Sequence, residues 1–274
     1  MTSFVAWLGV DSRGPTSIYF ASDSRLSWGN DPRTWDSGRK LFACHSSPEM
    51  FGFTGYLLLP QSILTRVSDL IDRGLLPQLE DVSPIQRVEE LAEITRLEVA
   101  AHRFPFADNF SLFYAARSGE GMSPKSVFHL YEVHCDAPTR TVRVFSIDMP
   151  HASSILLTHG TGKVAINEWT ERWQRSDQGG TSRAVFSAFC DALRSGKDPG
   201  SGGEPQLVGL YRQDPAKMFG VVSSRGASVQ GMLGLTFRSS VQLEWRDELF
   251  QRVHANGSLV KSAQLHASVK FPPI

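Results

Sequence analysis

Strand-like segments in this chain are broken twice by a pair of helical patterns, and that order restricts the fold more than any single residue does. Residues 3–10 (SFVAWLGV) are apolar and strand-prone, Asp11-Ser-Arg-Gly-Pro15 is a turn, and residues 17–22 (SIYFAS) predict the returning strand of a hairpin. Residues 40–45 and 50–54 predict a second pair joined around Ser46-Ser47-Pro48. Residues 57–73 then carry Ile63, Val67, Leu70 and Ile71 at helical spacing, with Pro60 tolerable in a first turn. Ser83-Pro84 opens a second helix whose face includes Ile85, Val88, Leu91, Ala92 and Val99. Strands are expected again at 109–116, 126–134, 141–147 and 154–159, helices at 162–175 and 181–195, and strands at 206–211 and 217–223. The tail beyond 225 alternates, as in Val241-Gln-Leu-Glu-Trp245, and predicts further strands. This is the order of an α+β layered arrangement, read as one domain over residues 2–274.

Composition narrows the function. Hydrophobic residues are 41% and charged residues 20%, so a core can form without covalent staples. Lys plus Arg and Asp plus Glu are 28 each, and no basic run is present, so nucleic acid is not an expected partner. Cys44, Cys135 and Cys190 are odd in number and widely spaced, which speaks against a disulfide framework. The start, Met-Thr-Ser-Phe-Val-Ala-Trp, lacks the pattern of a signal peptide, and no apolar run is long enough to span a bilayer. Cytoplasmic location is the default expectation, in which case the sequons at Asn109 and Asn256 carry no meaning. His129, His134 and Cys135 have no zinc-like spacing and read as ordinary strand residues; no metal and no cofactor is expected. Gly-Thr-Gly-Lys at 160–163 lacks the earlier glycine of a phosphate loop and has Val164 where a magnesium-binding hydroxyl belongs.

Three residues suggest nucleophilic chemistry. Removal of Met1 would leave Thr2 as the N-terminus. A threonine hydroxyl is a weak nucleophile that needs a base, and a free α-amine with a pKa of about 8 can be that base. Asp23 ends the second strand in Ala21-Ser-Asp23-Ser-Arg25 and could equally be a turn residue. Lys40 enters the third strand in Gly38-Arg-Lys40-Leu-Phe42, where a lysine is ordinarily a solvated strand end. Drawn inward, Lys40 would need a carboxylate, and Asp23 is the candidate. Its charge beside Thr2 would favour the deprotonated hydroxyl and amine.

These residues resemble the β-type subunits of proteasomes and their bacterial relatives HslV and Anbu. Those families begin with a catalytic Thr, return through a hairpin to Asp-Ser-Arg, and place a catalytic Lys before the third strand; Thr2, FASDSRLSWG at 20–29 and Lys40 are similar. Phe53-Thr54-Gly55 resembles the oxyanion glycine before the first helix, and Gln61 fits as well. Gly160-Thr161-Gly162 stands where the families have Gly-Ser-Gly, and Asp198-Pro-Gly-Ser201-Gly202-Gly203 matches Asp-x-x-Ser-Gly-Gly. Each motif alone is an ordinary turn or loop; it is their shared order that carries the resemblance. It covers about residues 2–215, leaving an extra C-terminal segment of roughly 216–274.

The resemblance implies a four-layer αββα sandwich of the N-terminal nucleophile (Ntn) hydrolase type, with catalytic Thr2, Asp23, Lys40, Gly55, Thr161, Asp198 and Ser201. It implies a threonine peptidase with no cofactor, acting on peptides or unfolded protein through an acyl-enzyme ester. Alternatives are an amidohydrolase on a small amide and a non-catalytic subunit. It implies homo-oligomers, as rings or an open helical stack, and leaves open an ATPase unfoldase. Leu26, Ser27, Phe53 and Leu57 are the expected substrate-binding residues.

Overall fold

A computed structural model describes residues 2–28, 33–122, 124–236, 243–261, 263 and 269–271. Met1, Val241 and Gln242 lie outside the described residues. In chain order the elements are β1 (Phe4–Asp11), β2 (Gly14–Ser22), β3 (Leu26–Ser27), β4 (Thr34–Trp35), β5 (Leu41–Ala43), β6 (Glu49–Gly55), α1 (Leu58–Asp72), α2 (Pro84–Ala101), β7 (Phe110–Ser118), β8 (Val127–Asp136), β9 (Thr141–Ile147) and β10 (Ser154–His159). They continue with α3 (Lys163–Gln174), α4 (Ser182–Arg194), β11 (Gln206–Tyr211), β12 (Lys217–Ser223), β13 (Gly226–Val229), β14 (Met232–Leu233), β15 (Glu244–Asp247) and β16 (Arg252–Val253).

The fold is α+β and its sheets are mostly antiparallel. One sheet runs β10-β1-β2-β11-β12-β13-β14, with β15 parallel to β12 and β16 beyond it; the other runs β5-β6-β7-β8-β9. Side-chain alternation along β1 explains how the first sheet is covered. Phe4, Ala6 and Leu8 join Leu41, Met50, Phe113 and Leu130 of the second sheet in one apolar cluster. Val5 and Trp7 point the other way and pack with Ile166, Val185, Phe186 and Phe189 of α3 and α4. Both faces of β1 are therefore buried, which is why its sequence is a continuous apolar run. The second sheet turns Phe51, Phe53, Leu112 and Val133 toward Ile63, Leu64, Val67, Val88 and Leu91 of α1 and α2.

Local signals set the starts of α2 and α4. The Ser83 side chain accepts from Gln86 N while Gln86 accepts from the Ser83 backbone, a capping box with Pro84 in the first turn. Thr181 caps α4 through Ala184 N. Ile85, expected on the buried face of α2, is instead exposed: it sits in the first turn, and the face toward α1 and the sheet is made by Val88, Leu91, Ala92 and Val99.

The short hairpin of β3 and β4 carries no sequence pattern, since two residues are too few to show a period. Residue 216 is no break in the sheet. β11 pairs with β12, β12 with β13 and β15, and Trp245 covers the strand so closely that a Cβ on Gly220 would meet its ring at 2.2 Å. Among the described residues no helix is long and apolar enough to cross a membrane.

Candidate active site

The site forms where β1 begins and β2 ends. Asp23 N donates to Ser3 O, extending that ladder by one bond, and the Asp23 side chain turns back beneath it. Its carboxylate accepts from Ser3 N (3.0 Å), Arg25 N (3.1 Å), Gly202 N (3.0 Å) and Lys40 Nζ (2.7 Å). Lys40 and Asp23 are both fully buried, so this ion pair exists only because every oxygen is satisfied. Burial pulls the Lys40 ammonium below its ordinary pKa, and the Asp23 charge and hydrogen bond oppose that pull. The same Nζ donates to Thr2 Oγ1 at 3.3 Å.

Gln206, at the start of β11, holds the two arms in register. Its Nε2 donates to Asp23 O (3.0 Å) and Gly38 O (2.8 Å), and its Oε1 accepts from Lys40 N (3.0 Å). Sequence reasoning missed it; a buried amide opening an otherwise apolar strand, QLVGLY, was the available signal.

On the other side of Thr2 a chain of hydroxyls leads to Asp198. Thr2 N donates to Thr161 Oγ1 at 3.4 Å, and Thr161 Oγ1 and Ser201 Oγ donate to Asp198 Oδ2 at 2.7 and 2.6 Å. Ser3 Oγ donates to Ser201 Oγ at 2.9 Å. Glycine is required here for space: a Cβ on Gly160 (φ +88°) would lie 2.0 Å from Thr2 O, and one on Gly162 would lie 1.8 Å from Ser3 Oγ. Arg25 forks onto Asp36 (2.7 and 2.8 Å) and reaches Pro199 O, so it braces the Asp198–Gly203 loop from outside.

A cleft of about 1090 Å³ opens above Thr2 and Lys40. Leu26, Ser27, Phe53 and Leu57 all line it, as does Gly55. Gly55 (φ +89°) turns the chain from β6 toward α1, whose N-terminus has no side-chain cap and so presents its positive end nearby. The structure thus joins Thr2, Asp23, Lys40, Thr161, Asp198 and Ser201 through hydrogen bonds, and sets Gly55 on the lining of the same cleft. Gln61 lies in α1 outside that lining. His134 and His159 also line the cleft, although His134 reads from sequence as an ordinary strand residue. Among the described residues no group of three or more His, Cys, Asp or Glu side chains is placed to hold a metal ion.

Among solved structures the chain is similar to Anbu (ancestral beta-subunit) from Yersinia bercovieri, with 16% identity, 78% of this chain and 81% of that chain covered, and a TM-score of 0.51. The chain has the Anbu fold. No family model and no curated protein matches it. The likeness to Anbu that the motif order implied therefore holds at the level of the fold. At 16% identity the role of each side chain rests on its own geometry and not on Anbu.

Proposed function

We propose that this chain is a proteasome-like threonine peptidase of the Ntn-hydrolase family, with Thr2 as nucleophile once Met1 is removed. The observation that carries this reading is the contact of the buried Lys40 ammonium with both Asp23 (2.7 Å) and the Thr2 hydroxyl (3.3 Å) on the lining of the cleft. The free Thr2 amine takes the hydroxyl proton, and Oγ1 attacks the peptide carbonyl. The Gly55 N–H stabilises the oxyanion, and the amine passes its proton to the departing amino group, leaving an ester on Thr2. Water then attacks the ester, the amine again carrying the proton, and Thr2 is restored. Lys40 lowers the cost of the developing negative charge on Oγ1. Thr161, backed by Asp198 and Ser201, orients the amine.

The three apolar clusters are the seams of a four-layer αββα sandwich in this reading, with the strands β12–β16 part of the same domain. A cleft of about 1090 Å³ suits an extended peptide better than a small amide. Like proteasome-type assemblies, the chain is expected to form homo-oligomers, as a ring or an open stack. The decisive experiment is intact mass after treatment with a β-lactone or a peptide epoxyketone. One adduct on a chain lacking Met1 supports the reading; an active, unlabelled chain that retains Met1 removes it.

A further inference from the structure

A second polar cluster lies on the cleft, outside the contacts around Thr2. Thr54 Oγ1 is 2.8 Å from His159 Nδ1. Thr54 is in β6 of the five-stranded sheet and His159 ends β10 of the other, so this bond crosses from sheet to sheet. Its place along the chain matters. The residue after Thr54 is Gly55 (φ +89°), and the residue after His159 is Gly160 (φ +88°), whose backbone lies against Thr2. A Cβ on Gly160 would stand 3.4 Å from Thr2 Cα. Both strands leave their sheets through a glycine bend, and the one hydrogen bond ties them immediately before each bend.

The imidazole is itself held. Its ring meets Phe113 edge-on at 5.3 Å, and its Nε2 lies 3.8 Å from Glu132 Oε1. That oxygen already accepts from Ser111 Oγ at 2.6 Å, and His134 Nδ1 is also 3.8 Å away. A separation of 3.8 Å is too long for a hydrogen bond but close enough for the carboxylate to favour a proton on Nε2. Nδ1 is then left to accept from the Thr54 hydroxyl. Burial keeps His159 below its ordinary pKa; Glu132 opposes this, and His134 and Lys163 reinforce it.

We propose that Thr54 and His159 are a positioning pair that sets the separation between the Gly55 N–H and the Thr2 hydroxyl. This rests on Thr2 being the nucleophile. An apolar pair could also fill the gap between the sheets, but only a directional bond fixes its width, and a small misplacement of reacting groups is costly in rate.

The test compares Thr54→Val and His159→Leu, which remove the bond, with Thr54→Ser and His159→Asn, which keep a polar atom in place. Two rates are read: β-lactone labelling of Thr2 by intact mass, and kcat and KM on a fluorogenic peptide. The Val and Leu variants should lose roughly tenfold to hundredfold in labelling rate and kcat, with KM within about twofold. Ser and Asn should recover most of that, and the Val/Leu double variant should be no worse than the poorer single. Unchanged labelling, a loss confined to KM, or Asn as poor as Leu overturns the proposal. If His159→Leu does not fold, Val against Ser at Thr54 gives the same comparison. A wild-type chain that never labels sinks the nucleophile reading itself; a wild type that labels no faster than the Val variant sinks only the positioning pair.

Discussion

Two buried ion pairs in this molecule look alike on paper and do different things. Lys40–Asp23 and Arg87–Glu49 each bury both partners, at 2.7 and 3.0 Å. Around Glu49 every contact is internal. Arg87 donates to it, Tyr114 donates its hydroxyl at 2.8 Å, Ser47 donates at 2.6 Å, and Arg87 also reaches Glu90 and Pro77 O. Burial, reinforced by Glu49, pushes the Tyr114 hydroxyl well up, so it stays a donor. That cluster ties β6 and β7 to α2, and none of its side chains lines the cleft. The Lys40 cluster is equally well satisfied on the Asp23 side but spends one Nζ donor on Thr2 Oγ1, at the edge of an open cleft. A buried charge becomes chemistry only where one of its bonds faces a reactive group that a substrate can reach.

The largest expected effect tests that contrast directly. Thr2→Ala should abolish hydrolysis, Thr2→Ser should keep part of it, and Lys40→Ala should lose at least about a thousandfold in kcat/KM while staying folded. Peptide turnover that survives Thr2→Ala would end the comparison. Glu49→Ala should do the reverse. Arg87 keeps Glu90 and Pro77 O, but the buried Tyr114 and Ser47 hydroxyls lose their acceptor, at a cost of roughly 1–3 kcal/mol for each donor left unsatisfied. Enough folded protein should remain at low temperature to show near-normal turnover per active site, measured by denaturant melts and active-site titration.

Next in size is substrate choice. Leu26, Phe53 and Leu57 give the cleft an apolar wall, and a charged P1 side chain set against that wall would lose water without a charge among those three residues to replace it. A P1-varied fluorogenic panel should favour small or medium apolar residues; fastest turnover after Arg or Glu would place P1 elsewhere.

The smallest effect concerns acid. The Arg25 hydrogen bond, with its charge behind it, holds the Asp36 carboxyl below its ordinary 3.8. The folded state then binds fewer protons than the unfolded one. The stability this contributes is present above pH 3.8 and lost as pH falls through the folded value. Asp36→Asn should therefore flatten the acid limb of a stability-versus-pH curve. Because the pair is partly exposed, added salt should shrink the difference.

Most of the elements were legible because their signals are local. The capping box at Ser83, the apolar run of β1 and the glycine loops at 160–162 and 198–203 each depend on neighbours a few residues away. Thr2, Asp23, Lys40, Thr161, Asp198 and Ser201 could be named because each stands in a short motif, and the motifs come in one order. Gln206 and His159 stand in no such motif, and their importance lies wholly in what they touch.

The sequence by itself determined the alternation of strands and helices, their ends, and which residue types were available for chemistry, since periodicity, capping and backbone freedom act over a few residues. Tertiary structure alone decided the contacts. Ser3 meets Ser201 across 198 positions, Gln206 meets Asp23 across 183, and His159 meets Thr54 across 105. The first two form because β1, β2 and β11 pair side by side in one sheet, and the third forms only when the packing of two sheets has brought their strand ends together. The free energy that pays for that packing comes from apolar surfaces that carry no record of which polar groups will end up side by side.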